Sequence, residues 1–384
     1  MRILYVAMKY DYGDAARGYS FEHHNFFGSL RGMGFELIYF DPIDMAKRRG
    51  REQTNKRLLE VVKAEQPEVL FCVLFTDELD PRVMRAISRD TDTATVNWFC
   101  DDHWRFDDFS CYWAPAFNYA VTTASSAVPK YEAMGYEGMI KSQWAVNHFE
   151  YRRLDVPIKY DASFVGQPHG NRRALIDALQ QLGIDVQVWG HGWESGRIGQ
   201  SRMIEVFNES RINLNLSNAS APPNASVEAG WLYRLMARLP GGRYSRGVIR
   251  RLERLSRRIP SEDPMRTLET IDPGYVQQIK ARNFEVPGCG GFMLSGDACD
   301  LAEYYELDRE IVAFRSAVDL VERVRYYLDH EDERRAIADA GFERTMREHT
   351  YAHRFDHLFG TMNVESPPLE VLLAGGDGDV LEVD

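Results

Sequence analysis

Short apolar runs alternate with segments of helical periodicity over the first 150 residues. Short apolar runs bounded by turn residues are typical of strands buried in a parallel sheet. The alternation therefore predicts a βαβ series, with one helix that begins at Ser20, a plausible N-cap, and another over Gln53–Glu65. The predicted strands are Ile3–Met8, Glu36–Phe40, Val69–Phe75, Thr95–Phe99, Tyr119–Thr122 and Met139–Trp144.

A second series of the same kind follows the polar, proline-containing stretch Tyr151–Tyr160 and is interrupted at 220–277 before it resumes at Glu285. We predict an α/β protein of two Rossmann-like, doubly wound domains that face each other across a cleft, where ligands are expected. The predicted strands are Ala162–Val165, Val186–Trp189 and Ile212–Leu216, and the predicted helices are Asn171–Leu182, Ser201–Ser210, Leu320–Tyr327, Glu331–Arg347 and Tyr351–Phe359.

The composition is that of a folded protein. The chain has 384 residues, 44% of them hydrophobic, and its net charge of −12 argues against a nucleic-acid partner. The five cysteines show no CxxC spacing, which predicts free thiols in a reducing compartment. No signal peptide and no apolar run of about 18 residues, the length that crosses a bilayer, is found. We therefore expect a cytoplasmic protein whose membrane contact, if it has any, is peripheral.

The stretch from Lys280 to Leu294 combines two cations, a carboxylate and a glycine-rich turn. Lys280 and Arg282 can bind a diphosphate, and the Glu285 carboxylate can accept both hydroxyls of a ribose. The glycines would let the backbone approach a ligand. A nucleoside diphosphate that carries a transferable group fits this pattern, although a surface helix that runs into a buried strand is the alternative. The predicted binding residues here are Lys280, Arg282, Asn283, Phe284, Glu285, Gly290 and Gly291.

The turn Gly166–Gly170 follows a predicted strand and opens a helix. Backbone amides at a helix N-terminus favour anions, and Arg172 adds charge. Since Lys280 and Arg282 are expected on the same edge of the same sheet, the turn is predicted to share their ligand, although every βα turn favours glycine. Trp193 follows the next strand and can either face a nucleotide base or close the edge of the domain. The residues added to the predicted site are Gly166, Gln167, His169 and Arg172.

Two neighbouring carboxylates and an imidazole follow the predicted strand Thr95–Phe99. Adjacent carboxylates can raise one another's pKa, which suits general-base chemistry, and an aspartate can orient a neighbouring histidine ring. We therefore predict Asp101, Asp102 and His103 as catalytic residues at the cleft. The alternative is helix capping, and one of the two aspartates is expected to have only that role.

The first βα connection, Lys9–Tyr19, is long and leads into the helix at Ser20. Long loops at strand ends commonly bind ligands, so we predict Arg17, Gly18 and Glu22 as acceptor-binding residues, with a plain surface loop as the alternative. His23 and His24 point about 100° apart on a helix, so no metal site is predicted.

The segment Gly230–Pro260 carries nine arginines and one acid, Glu253. Apolar residues recur on one face of each of two predicted helices. A basic amphipathic pair of this kind fits an anionic membrane surface. A lid over the cleft and a docking site for a partner protein are the alternatives.

The quoted motifs resemble a known family, whereas P-loop, HExxH, GxSxG and CxxC patterns are lacking. The run Lys280–Leu294, continued by Asp300–Tyr305 and Arg344–Arg354, resembles the GT-B glycosyltransferases of the spore-maturation (CgeB-like) group, within the group-1 glycosyltransferases. The segments Asn97–Trp104 and Phe164–Asn171 fit the same group.

The resemblance implies two Rossmann-like domains with a nucleotide-sugar donor held mainly by the second. It implies that Glu285 holds the ribose, that Lys280 and Arg282 hold the diphosphate, and that Asp101 and Asp102 lie near the transferred sugar. Together with the sequence pattern, it gives an acceptor domain at 1–150, a hinge at 151–160, a nucleotide-sugar domain at 161–350 with the basic insertion 220–277, and a crossover helix at 351–361. The acidic composition of 362–384 predicts a disordered tail.

One departure from the family pattern concerns the stereochemistry of transfer. Many retaining members carry a second glutamate eight positions before the ribose-binding one, and this chain has Gln277 there. Retention is therefore not carried over, and an inverting reaction with an aspartate base stays open.

The sequence thus predicts a metal-independent glycosyltransferase with a nucleoside diphosphate sugar as co-substrate, no other cofactor and a hydroxyl acceptor. A non-catalytic nucleotide-sugar-binding or membrane-docking scaffold is one alternative. A nucleotide-sugar epimerase, which would form product without an acceptor, is another.

Overall fold

The computed structural model describes residues 1–217 and 277–383, which contain two parallel β-sheets. The predicted membrane-binding segment Gly230–Pro260 lies outside these residues. The first sheet has seven strands in the order β12-β2-β1-β3-β4-β5-β6, and the second has five in the order β11-β10-β9-β7-β8. The strands are β1 Arg2–Ala7, β2 Glu36–Phe40, β3 Val69–Val73, β4 Ala94–Phe99, β5 Tyr119–Thr122, β6 Met139–Lys141, β7 Tyr160–Val165, β8 Val186–Trp189, β9 Ser210–Asn215, β10 Met293–Gly296, β11 Val312–Phe314 and β12 Val380–Glu382.

The central strands β1, β3 and β4 of the first sheet are buried on both faces, as their continuous apolar runs predict. In the first sheet, β1 pairs in parallel with β2 (Ile3 beside Leu37) and with β3 (Ile3 beside Val69). Parallel strands end at one edge, so the loops that follow β1, β3 and β4 converge there. This convergence places the predicted acceptor and catalytic segments at the same edge of the sheet.

Helices connect the strands, and their starts follow local capping rules. The Ser20 hydroxyl accepts from the His23 amide at 3.0 Å, which confirms the predicted N-cap. Asp41 and Asp80 cap the helices that begin with Pro42 and Pro81. The helices longer than four residues are Gly28–Gly32, Pro42–Arg49, Arg51–Glu65, Pro81–Asp90, Val128–Ala133, Arg172–Gln181, Gln200–Glu209, Arg282–Gly288, Ala317–Asp329, Glu331–Glu348, Tyr351–Thr361 and Leu369–Ala374, with π-helical turns at His23–Phe27 and Phe106–Ser110.

A single cluster of buried apolar side chains continues from the inner face of the first sheet into the second domain. The helix Tyr351–Thr361 supplies much of it: the Phe355 ring lies 5.6 Å from the Phe71 ring, and Tyr351 lies 5.1 Å from Phe26. The helix therefore packs on the first sheet although it follows the second in sequence, and it ties the two domains together.

The C-terminal tail is ordered where the acidic composition predicts disorder, and this corrects the prediction for 362–384. The helix Leu369–Ala374 buries Leu372 completely, and β12 pairs in parallel with β2 (Leu381 beside Ile38). Lys9 and Glu382 also form an ion pair of 2.6 Å. Backbone pairing and one buried leucine hold the tail, so its many acids do not prevent order.

A second correction concerns Glu285, which is predicted to lie where the βα pattern resumes. It lies inside the helix Arg282–Gly288, and the strand follows at Met293. No helix within the described residues is both long enough and apolar enough to span a bilayer.

Candidate functional site

Basic side chains gather where the helix Arg282–Gly288 begins, beside the carboxyl end of β7. Burial lowers the pKa of Lys280 to about 7, with Asp101 opposing the shift and Arg172 adding to it. Burial and the charge of Arg282 lower the pKa of Arg172 to about 10. We call Arg172, Lys280 and Arg282 the cation cluster. Like charges that influence one another in this way favour an anionic ligand, because an anion lowers their repulsion.

His169 lies beside the same cations. Its pKa is lowered to about 4 by burial and by the charges of Arg172 and Lys280. It is therefore neutral at physiological pH and can serve as a hydrogen-bonding group rather than a further charge.

A buried polar network fixes the backbone at Lys280. The Asn283 side-chain oxygen accepts from the Lys280 amide at 3.0 Å and from Asn215 at 2.8 Å, and its nitrogen donates to Ser295 at 2.9 Å. Asn283 is fully buried. It therefore supports the cation cluster from behind, which differs from the predicted contact with a ligand.

Glu285 points into the interface between the two domains. Its side chain is completely buried, accepts from the Tyr151 hydroxyl at 2.5 Å and from the Asn25 amide at 3.3 Å, and forms an ion pair with Arg282. Its carboxylate has no exposed surface. In this state the predicted ribose contact is closed, because Asn25 and Tyr151 occupy the space in front of it.

Three other residues of the stretch also contact protein rather than open space. The Phe284 ring is fully buried against Tyr305 at 5.7 Å. Gly290 has φ +70°, and a Cβ there would meet the Arg153 side chain, while one at Gly291 would meet Asn213. Close protein neighbours thus account for both glycines, and the predicted contacts of these three residues with a ligand stay a prediction.

The turn Gly166–Gly170 is held by its own domain. The Trp193 indole donates to the Gly166 carbonyl at 2.7 Å, and the Arg172 guanidinium donates to the Gln167 carbonyl at 3.1 Å. Trp193 is buried against the edge of the Phe164 ring, so it closes the domain rather than offering a face to a base. The Gln167 side chain reaches the Tyr12 hydroxyl of the first domain.

The two neighbouring aspartates have different surroundings. Asp102 is buried, and its carboxylate accepts from Ser110 and, at 2.9 Å, from the Tyr131 hydroxyl. Burial raises its pKa despite these hydrogen bonds. Asp102 therefore binds neighbouring hydroxyl groups and holds the turn together, a structural role that differs from the helix capping of the alternative.

Asp101 faces the second domain. Its side chain makes no capping hydrogen bond to the helix Asp102–Arg105, and it accepts from the Gln278 amide at 3.4 Å. His103 lies nearby, and burial together with Lys280 lowers its pKa to about 4. Its Nδ1 atom is buried with no hydrogen-bond partner among the described residues. Asp101 and His103 thus lie beside the cation cluster, on the opposite domain.

The long loop after β1 is tied to the second domain by an arginine. Arg197 forms an ion pair with Asp11 at 2.9 Å and donates to the Tyr19 carbonyl at 2.7 Å. Arg17 also pairs with Asp11, at 2.7 Å, so its charge orders the loop. Gly18 is exposed at φ +78°.

A cavity of about 220 Å³ opens at the carboxyl edge of the first sheet. Among the three predicted acceptor-binding residues, Glu22 lines this cavity, and Arg17 and Gly18 do not. Burial, opposed by hydrogen bonds and reinforced by Asp11 and Asp101, raises the pKa of Glu22 to about 7. The lining residues are Met8, Asp11, Tyr12, Phe21, Glu22, Val73, Leu74, Phe75, Phe99, Cys100, Asp101, Arg105, Phe109 and Ser110.

Sequence reasoning did not find Gln278 and Arg197, which connect the two domains. Both are isolated polar residues in loops, and no local pattern marks them, since their partners lie 177 and 178 residues away.

Gln277 occupies the position at which many retaining members of the family carry a glutamate. Its side-chain oxygen lies close to Gly296, where β10 ends.

Comparison with known proteins agrees with this fold. A family model described as glycosyl transferase-like matches residues 171–233 and 266–360. Spore protein CgeB of Bacillus subtilis (strain 168) is 19% identical over 294 residues, which are 76% of this chain and 81% of that protein.

Two solved structures share the architecture at 9% sequence identity. Sucrose-phosphate synthase of Thermosynechococcus elongatus has a TM-score of 0.58 and covers 94% of this chain and 99% of its own. HepE of Anabaena, in complex with UDP and glucose, has a TM-score of 0.57 with the same coverage. The predicted resemblance is thus confirmed: the chain has the GT-B fold of glycosyltransferases and is similar to the CgeB-like group.

Proposed function

We propose that this protein is a glycosyltransferase that moves a sugar from a nucleoside diphosphate sugar to a hydroxyl acceptor. The observation that carries the proposal is the cation cluster of the second domain, which faces the carboxylate Asp101 and the acid-lined cavity of the first. A diphosphate leaving group needs positive charge, and an attacking hydroxyl needs a group that takes its proton. The arrangement offers both across one interface. UDP in the complex of HepE supports a nucleotide donor.

The two domains supply residues with different roles in the reaction. Arg172, Lys280 and Arg282 stabilise the negative charge that develops on the departing diphosphate. Asp101 or Glu22 accepts the proton of the acceptor hydroxyl. Buried groups on both sides exclude water, which limits hydrolysis of the donor. This chemistry needs no metal ion, and donor binding mainly by the second domain leaves the cavity to the acceptor.

The finer assignment is a hexosyltransferase that works in the cytoplasm on a cell-surface glycan, a glycolipid or a protein. The basic segment Gly230–Pro260 would bring the enzyme to an anionic membrane face.

A panel of nucleoside diphosphate sugars, each labelled in the sugar, tests the proposal. One donor should release label to acceptor or water. Lys280→Met should reduce kcat/KM about 100-fold or more, because it removes a cluster charge but keeps the side-chain length. The matched control is Lys63→Met, at an exposed lysine of the helix Arg51–Glu65, which should leave kcat/KM unchanged. Full activity of folded Lys280→Met protein would refute the donor site.

The scaffold alternative gives a different result in the same experiment. A pure binder would show a thermal shift with one nucleotide sugar, since a ligand that binds the folded state raises its apparent stability. It would release no label from any donor, with or without acceptor.

A further inference from the structure

The first-domain cavity has the size of a site for one ring. Its volume of about 220 Å³ lies below the roughly 300–1,000 Å³ of pockets that hold drug-sized ligands. A whole nucleotide sugar would not fit, but a single six-membered ring with its substituents would. Asp101 lies on its rim and contacts Gln278 of the second domain, so an occupant would lie next to the proposed donor site.

Aromatic side chains form much of the wall. The Tyr12 and Phe75 rings meet edge to face at 5.2 Å, and Phe109 lies under the Arg105 guanidinium at 4.2 Å. Tyr12 is half-exposed at the mouth of the cavity. Flat apolar surfaces of this kind pack against the C–H faces of a ring. The wall therefore favours a ligand that is apolar on its faces.

The polar groups of the cavity mainly accept hydrogen bonds. Asp11, Glu22 and Asp101 present carboxylate oxygens, which are acceptors when ionised. Arg105 is the basic residue of the lining, and its guanidinium already donates to the Phe75 carbonyl at 2.8 Å. An occupant must therefore donate several hydrogen bonds around its edge, as the hydroxyls of a sugar do.

The charges of the cavity disfavour an ionic occupant. An anion would meet the carboxylates of Asp101 and Glu22. A cation would meet the guanidinium of Arg105, and Asp11 would attract it little because Arg17 and Arg197 neutralise that carboxylate. Burial also holds the pKa of Glu22 at about 7, so its surroundings do not stabilise its charge.

We propose that this cavity is the acceptor site and that it binds one uncharged sugar ring. The proposal rests on the proposed glycosyltransferase function. In the reaction, the oxygen of one ring hydroxyl forms a bond to the anomeric carbon of the donor sugar. The bond from that carbon to the diphosphate oxygen breaks, and its electron pair leaves with the diphosphate. The hydroxyl proton passes to a carboxylate of the cavity.

Binding to the full chain without donor tests the site by itself, with saturation-transfer NMR as the assay. The probes are methyl glucoside, methyl galactoside and methyl mannoside as neutral sugars, glucuronate as the anion, glucosamine as the cation and phenol as a flat apolar ring. At least one neutral glycoside should bind with a Kd on the order of millimolar, as expected for about a dozen heavy atoms. The charged sugars and phenol should bind at least tenfold more weakly.

Tyr12→Asn is the informative variant, because asparagine tolerates the left-handed backbone at φ 53° and removes the ring at the mouth. It should weaken the neutral glycoside about tenfold. Tyr326→Asn, at a similarly exposed tyrosine of the second domain, is the matched control and should not change Kd.

Tighter binding of glucuronate, glucosamine or phenol would overturn the proposal, as would no binding of any neutral glycoside or an unchanged Kd in Tyr12→Asn. If transfer to another kind of acceptor is then observed, the glycosyltransferase function stands without the sugar site. If a glycoside binds as expected but no donor is ever turned over, the sugar site stands and the enzymatic function fails.

Discussion

Lys280 should take up a proton when a nucleoside diphosphate sugar binds. In the free protein, burial and Arg172 hold its pKa at about 7. At pH 8 most molecules therefore carry a neutral amine at the centre of the cation cluster. A diphosphate diester brings two negative charges to this position and keeps them over the whole pH range of interest. An opposite charge within contact distance raises a lysine pKa by about 1–3 units, so the bound lysine should be protonated.

The number of protons taken up per site follows from this shift in the pKa of Lys280. If binding moves the pKa from about 7 to about 9, then about 0.8 proton per site is taken up at pH 8 and about 0.1 at pH 6. Donor binding should therefore be tighter at low pH, because the lysine is already charged there. The same shift makes the affinity about ninefold weaker at pH 8 than at pH 6.

Isothermal titration in buffers of different ionisation enthalpy measures the proton uptake directly. Lys280→Arg is the control, because arginine stays charged and its variant should bind without uptake at pH 8. His103 and His169 have pKa values near 4. They remain neutral at pH 8 even if binding raises those pKa values by about two units. Equal uptake by wild type and Lys280→Arg at pH 8, with both binding donor, would refute the reasoning.

Three further changes separate the roles of other residues. Asp102→Asn should lower the free energy of unfolding by about 1–3 kcal/mol in urea, because two hydroxyls lose a carboxylate acceptor, while kcat per folded molecule is kept. A loss of kcat without a loss of stability would make Asp102 catalytic after all. At saturating donor, kcat should rise with pH through about 7 as Glu22 loses its proton, and Glu22→Gln should remove this rise along with most of the rate. An unchanged pH profile would exclude Glu22 as the base. Leu372→Ala should lower the free energy of unfolding by about 2–5 kcal/mol, whereas Val371→Ala, on the exposed side of the same helix, should lower it little; a Leu372→Ala variant as stable as the wild type would mean that this leucine does not hold the tail.

The strands and most helices could be predicted because their signals are local. Apolar runs such as Glu36–Phe40 and Val186–Trp189 match the structure at both ends. The C-terminal strand was missed because its three residues lie among acids and glycines, and its order comes from pairing with β2, more than 300 residues earlier in the chain. Such pairing leaves no periodicity to detect.

The candidate site could be predicted in part for the same reason. A cation pair and a neighbouring carboxylate are visible in sequence, and the structure brings Lys280, Arg282 and Arg172 together. The surroundings of Glu285 are not visible, because its partners Tyr151 and Asn25 are 134 and 260 residues away. Which of Asp101 and Asp102 reaches the cleft is likewise decided by where a four-residue helix begins.

The closed position of Glu285 is compatible with a diphosphate site, and the charges explain why. Its carboxylate pairs with Arg282 and offsets one of the three charges in the cation cluster. When Lys280 is protonated, the cluster and Glu285 together carry a formal charge of +2, which matches the two negative charges of a diphosphate diester. When Lys280 is neutral, the match is lost. If the cluster is the donor site, as we propose, Glu285 contributes to donor binding by setting the charge of the cluster, whether or not the ribose reaches it. The ionisation of Lys280 then decides whether the site accepts its ligand.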